Sequence, residues 1–185
     1  MMKTVKLPSY LHEVFGREST LAELLMIFIV SLAATTALFT AARAEWSTLP
    51  GWKTALLFLL IVDVMAGFIA NLTLSTNNYY RDQPKLRLIF IAIHVQPIIF
   101  ALLLGNYFFI CAILWAYTAL AAFIVNSAQK YPAQKALAAS LVVMGLVGLL
   151  TNSSGMPLLL LVSLTFYQLK VIFSFAVDQY APREI

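Results

Sequence analysis

The stretch TALLFLLIVDVMAGFIANLTL, residues 54–74, carries a single charged side chain, Asp63, in 21 residues. An α-helix needs about 20 apolar residues, at about 1.5 Å each, to cross a hydrocarbon core of about 30 Å. The stretch therefore reads as a membrane span. Five more of its kind lie around it, at residues 21–42, 86–104, 107–126, 136–151 and 156–177. The expected fold is all-α: a polytopic integral membrane protein built as one six-helix transmembrane bundle over residues 21–177. Residues 1–20 form an interfacial segment before it, and residues 178–185 a short tail after it.

Composition agrees with that solvent. The chain of 185 residues is 62% hydrophobic and 11% charged, against about 45–50% and about 25% in soluble domains. So few charges cannot cover a soluble surface of this size, and a disordered chain would need low hydrophobicity. One cysteine and two histidines exclude a disulfide scaffold and a Cys/His zinc site within one chain. A haem held by histidines of two spans is excluded too, since His94 is the one histidine within a span and His12 precedes the first.

Turn chemistry marks the breaks. Pro50-Gly51, Gly105-Asn106 and the run Asn152 to Gly155 before Pro157 each supply the φ values or missing donors that end helices. Such short links make successive spans antiparallel neighbours. Thr20-Leu21-Ala22-Glu23 has the form of a capping box opening the first span. Ala42-Arg43-Ala44 resembles a signal-cleavage site, but the apolar stretch before it is too long for a signal peptide, and it is expected to stay uncleaved. Leu7, Tyr10, Leu11, Val14 and Phe15 recur at helical spacing, which predicts a short amphipathic helix lying in the interface.

Cytoplasmic loops retain the Lys and Arg excess. With the N-terminus inside, Lys3, Lys6, Arg17, Arg81, Lys85, Arg87, Lys130, Lys135 and Arg183 fall inside, against Arg43 and Lys53 outside. This predicts a cell membrane protein with both termini cytoplasmic. The expected partners are the lipid bilayer, anionic headgroups on the cytoplasmic side, and either a homo-oligomer or a partner membrane subunit. The net charge of +4 is dispersed over loops, so no nucleic acid is expected.

The informative residues are polar groups at mid-membrane, each costing about 2.5 to 3.5 kcal/mol for Asp or Lys on insertion scales. Asp63 in the second span and His94 in the third fall at one depth in antiparallel neighbours. Whether they face each other depends on helix rotation. Ala66, Gly67 and Ala70 share the face of Asp63 and let another helix approach, so the acid is expected to face protein and not lipid, while Asn71 lies about 12 Å further along and about 80° around. Pro97 cannot donate to the carbonyl of Ile93, so a kink and a free acceptor are expected beside His94. Gln96 lies about 200° around from His94, on a different face, so the third span is expected to touch protein on two sides. Ser163, Tyr167, Lys170 and Ser174 fall at i, i+4, i+7 and i+11 of the last span, one polar stripe, with Lys170 either snorkelling or pairing with Asp63. Trp115 and Tyr117 read as packing aromatics, and Cys111 as an inert buried thiol.

The chain contains no G-x-x-x-x-G-K-[ST], H-E-x-x-H or G-x-S-x-G motif, so nothing local supports ATP-driven pumping, zinc proteolysis or nucleophile-elbow hydrolysis. No residue is assigned a catalytic role, and no metal or cofactor is expected. Three functions remain open. One is a small proton-coupled transporter or permease centred on Asp63, His94 and Lys170. Another is an accessory or assembly subunit whose polar groups lock helices together. The third is a lipid-modifying enzyme with His94 as base.

Overall fold

The computed structural model describes residues 4–182; Lys3 and Arg183, counted in the charge balance above, lie outside them. Strands β1 (Thr4–Lys6) and β2 (Glu18–Thr20) pair antiparallel, Val5 opposite Ser19. Between them come a 3₁₀ turn (Ser9–Leu11) and α1 (His12–Phe15). The entry segment is thus a small hairpin, and its helix is shorter than the apolar periodicity predicts. The strand ladder takes the backbone donors and acceptors that a longer helix would have used. Of the apolar set, Phe15 is buried, whereas Tyr10 and Val14 are exposed.

Six helical spans follow, each long and apolar enough to cross a membrane. These are α2 (Leu21–Ala41), α4 (Gly51–Ala70), the pair α6 (Pro84–Ile93) and α7 (Gln96–Leu104), α8 (Phe108–Ser127), α9 (Gln134–Thr151), and α10 (Leu158–Gln168) continued by a π-helical segment (Leu169–Phe175). The chain is a multi-pass membrane protein. Two short helices lie between spans: α3 (Arg43–Trp46) and α5 (Leu74–Asp82). The capping box is formed, with the Glu23 N–H donating to Thr20 Oγ1 at 3.2 Å and the Thr20 N–H to Glu23 Oε2 at 2.8 Å.

The last span is the axis of the bundle. It packs on α4, α7, α8 and α9, and 61% of it is buried against 28% of α2, which lies at the periphery on α4. Centrality explains its sequence: a helix touching protein on every side can carry Ser163, Tyr167, Gln168, Lys170 and Ser174 in the interior without showing them to lipid. Between apolar helices in lipid, close packing and interhelical hydrogen bonds replace the hydrophobic drive. Tyr117, for example, donates from α8 to the Leu141 carbonyl of α9 at 2.6 Å.

Both ends of the bundle are tied by polar contacts. At the end away from the termini, Gly105 closes α7 in the left-handed region (φ 70°), and the Tyr107 hydroxyl donates to the Gly155 carbonyl at 2.6 Å. There the Glu45 carboxylate of α3 accepts from the backbone N–H groups of Leu158 and Leu159 at 2.8 and 2.9 Å. It satisfies two orphan donors and places negative charge on the positive end of α10. At the other end, Gln134 opens α9 two residues before its expected start and is fully buried. Its amide donates to the carbonyls of Val125 and Ala176 and accepts from the Asp178 N–H. Replacing Glu45 by Ala should cost about 1 kcal/mol and lower the thermal midpoint in detergent by about 2–4 °C. An unchanged midpoint would show that the cap carries no stability.

Candidate functional site

The third span does not kink at Pro97; it breaks. Helix α6 ends at Ile93, His94 leaves the helical region (φ −77°, ψ 74°), and α7 restarts at Gln96 with Pro97 in its first turn. Proline is tolerated there because the first turn leaves its N–H groups unpaired in any case. The Ile93 carbonyl, expected to be free, accepts instead from the Val95 N–H at 2.8 Å. The carbonyl that reaches across the bundle is that of His94, which accepts from the Tyr167 hydroxyl of α10 at 2.7 Å. Its imidazole folds back on its own helix, with Nδ1 donating to the Phe90 carbonyl and the ring over that of Phe90 at 3.7 Å between centroids.

Gln96, the first residue of α7, turns to a different neighbour from the His94 imidazole. Gln96 Nε2 donates to Asp63 Oδ2 at 3.1 Å. The same oxygen accepts from Lys170 Nζ at 2.9 Å, and Nζ also lies 3.4 Å from the Asp63 carbonyl. Three spans therefore meet at one carboxylate. Lys170 does not snorkel: its side chain is 2% exposed, whereas that of Asp63 is 56% exposed.

Two local features let the lysine reach the acid. Lys170 sits in the π-helical segment, whose wider turn shifts side chains around the axis and is frequent at functional sites. Gly67, one turn beyond Asp63 on α4, leaves the space the lysine stem crosses: a Cβ there would overlap Lys170 Cε and crowd Nζ. The acid does not face protein alone, as its small neighbours led us to expect: its outer side continues a run of exposed apolar residues on one face of α4, Trp52, Leu56 and Leu59, because the lysine reaches it from one side of the helix only.

The remaining sequence candidates divide. Tyr167 and Lys170 of the polar stripe join the break. Ser163 and Ser174 bond back to their own helix, at the carbonyls of Leu159 (2.6 Å) and Lys170 (2.7 Å). Asn71 caps α4 and is buried away from the ion pair, beside Arg87. Arg87 is a correction: counted with the loop charges, it is 2% exposed and lies within the third span. Its place one residue after the start of an apolar run was the available signal. Among the described residues, no group of three His, Cys, Asp or Glu side chains could hold a metal ion.

A second charged cluster closes the end of the bundle that carries the termini, and the sequence reading missed it. Arg81 of α5 grips Asp178 with Nε and Nη2 at 2.8 and 2.6 Å, and Asn77 Nδ2 donates to the same carboxylate at 2.8 Å. Burial alone would raise the Asp178 carboxyl, but the hydrogen bonds from Arg81 and Asn77 outweigh it and hold the group below its ordinary 3.8.

A carboxyl lowered on folding stabilises the fold above its unfolded value, and that contribution is lost as pH falls through the folded value. The thermal midpoint should therefore drop more steeply below pH 3.8 in the wild type than in Asp178→Asn; parallel profiles would exclude the linkage. Gly67→Ala should destabilise by about 1–3 kcal/mol through overpacking. Gly148→Ala, which meets nothing within 4 Å inside α9, should stabilise by about 0.5–1 kcal/mol through helix propensity, and equal midpoints for the two would mean the lysine yields freely. No protein family matches the chain, and no curated protein or solved structure is significantly similar to it.

Proposed function

We propose that the chain is a small proton-coupled transporter, or permease, of the cell membrane, with Asp63 as its protonatable centre and Lys170 as the fixed counter-charge. One observation carries this reading: the Asp63–Lys170 pair, 2.9 Å apart, sits at the point where the third span is broken. Interrupted helices at membrane depth occur where backbone is buried in protein or lines a passage, and transporters place their sites at such half-helix ends. The start of α7 brings the Gln96 side chain to the carboxylate. A proton or a cationic group arriving at the open side of Asp63 weakens its hold on Lys170, and the pair is the switch. His94 acts through its backbone: its carbonyl, held by Tyr167, fixes the break.

The basic residues Lys6, Arg17, Lys85, Lys130 and Lys135 support an orientation with the termini cytoplasmic and anionic headgroups against them. The half-open carboxylate also favours a second reading, an accessory subunit whose partner, a second copy or another membrane chain, covers that side. The enzyme reading draws no support, because the His94 imidazole is engaged by Phe90 and not by Asp63.

The test uses proteoliposomes loaded with a pH-sensitive dye and challenged with small amines, organic cations and neutral hydroxyl-bearing solutes. The wild type should couple proton movement to at least one solute, and Asp63→Asn should abolish it. Proton movement undiminished in Asp63→Asn would remove the acid from the mechanism. No movement with any solute, together with a co-purifying subunit in native mass spectrometry, would favour the accessory role. Asp63→Asn leaves a buried ammonium unpaired, at a cost of up to about 3–5 kcal/mol, reduced here by the half-exposure of the acid. Asp63→Asn/Lys170→Met should recover much of the lost stability without recovering flux.

A further inference from the structure

Asp63 lies near the middle of α4, and the residues around its open side limit what can reach it. At about 100° per residue, Leu59, Leu56 and Trp52 fall within about 40° of the acid, and they are 62%, 42% and 64% exposed. They form one stripe about 16 Å long, from the acid to the first turn of the helix, and its side chains are apolar or aromatic. Toward the other end the stripe closes at Gly67, where the lysine stem crosses. The approach to Asp63 is therefore along a surface turned to hydrocarbon.

The carboxylate is satisfied unevenly. Lys170 Nζ and Gln96 Nε2 both donate to Oδ2, and among the described residues no donor reaches Oδ1. Of the elements packed on α4, the π segment brings Lys170, α1 and α2 carry Glu13 and Glu23 at the end of the bundle with the termini, and the His94 ring of the third span is turned onto Phe90. One oxygen is thus held from inside the bundle and the other is left to the lipid side, where no water meets its lone pairs. A donor carried in by a ligand would meet them.

We infer, on the transporter reading proposed above, that the open side of Asp63 binds lipophilic amines, molecules that join a basic nitrogen to an alkyl or aryl body, and that they enter sideways from the bilayer. A hydrophilic solute gains nothing along an apolar stripe, whereas a neutral amine dissolves in lipid and lays its body over Leu59, Leu56 and Trp52. At the protonated acid, the Asp63 O–H bond breaks and its electron pair stays on the carboxylate, while the lone pair of the nitrogen takes the proton. The ammonium so formed donates its new N–H to Oδ1, a charge-assisted hydrogen bond. A quaternary ammonium has no lone pair to take the proton and no N–H to donate.

The test places the wild type in proteoliposomes with carbodiimides, which add to protonated carboxyl groups, and reads modification of Asp63 by peptide mass mapping. Dicyclohexylcarbodiimide, which partitions into lipid, should modify Asp63, and a water-soluble cationic carbodiimide should not. N,N-dimethyloctylamine should protect the acid saturably. Trimethyloctylammonium should need a concentration at least about tenfold higher, and the short-chain N,N-dimethylethylamine one more than about a hundredfold higher. Equal modification by both reagents, modification by neither, as when a neighbouring helix covers the acid, or equal protection by the three amines would overturn the inference. Proton movement coupled to a water-soluble solute, with Asp63 unprotected by N,N-dimethyloctylamine, would overturn it and leave the transporter reading standing. Saturable, chain-length-dependent protection without proton movement for any solute would uphold the amine site and overturn the transporter reading.

Discussion

A positive charge held inside an apolar bundle is the constraint around which this molecule is arranged. The Lys170 ammonium is 2% exposed on the axial helix, where neither water nor a headgroup reaches it, and an isolated ion there would cost several kcal/mol. Asp63 supplies the counter-charge, and much of the local structure makes that contact possible. The π turn directs the lysine, the missing side chain at Gly67 gives its stem a path, and the break in the third span delivers Gln96 to the same oxygen. Each of these departs from regular helix or regular composition, and all three lie around one carboxylate.

The second requirement is backbone satisfaction. Breaking a helix inside a membrane releases donors and acceptors that lipid cannot meet. Here the release is small because the pieces are answered locally: Val95 takes the Ile93 carbonyl, Tyr167 takes that of His94, and proline occupies a position whose N–H would be orphaned anyway. Glu45 does the same for the start of α10 from a different loop. Many of the polar side chains in this apolar chain are thus bonded to backbone, and Asp63 stands apart in taking hydrogen bonds from side chains of two other spans, Lys170 and Gln96.

Depth was legible in the sequence and rotation was not. Hydropathy is a property of position along the chain, so the six spans emerge from it, and so does the place of Asp63 near the middle of its helix. Angular placement presumes an unbroken helix and a known neighbour, so neither the contact of Gln96 with Asp63 nor the turn of the His94 imidazole onto Phe90 could be read from it. Pro97 marked the place but not the size of the disruption, because a kink and a break share the same missing donor. Arg87 was assigned to a loop because charge near a span boundary reads as solvent-exposed, although Phe175 and Asn71, far away in sequence, enclose it. The pairing of Arg81 with Asp178 joins residues 97 apart, a separation over which no local pattern carries a signal.

The two partners of the central pair differ in a way that bears on what the pair can do. An ion pair that only fixes packing is best sheltered on both sides, since exposure weakens it and burial of one member alone gains nothing. Lys170 is enclosed and Asp63 is half open, at 56%. On the transporter reading proposed above, a proton or a cation reaches the acid without first displacing the lysine, so the acid is the member that responds. The lysine in turn lies in a π-helical segment whose hydrogen-bond pattern differs from that of the α-helix it continues, and the same asymmetry leaves a side of the acid for a neighbouring helix to cover on the accessory reading.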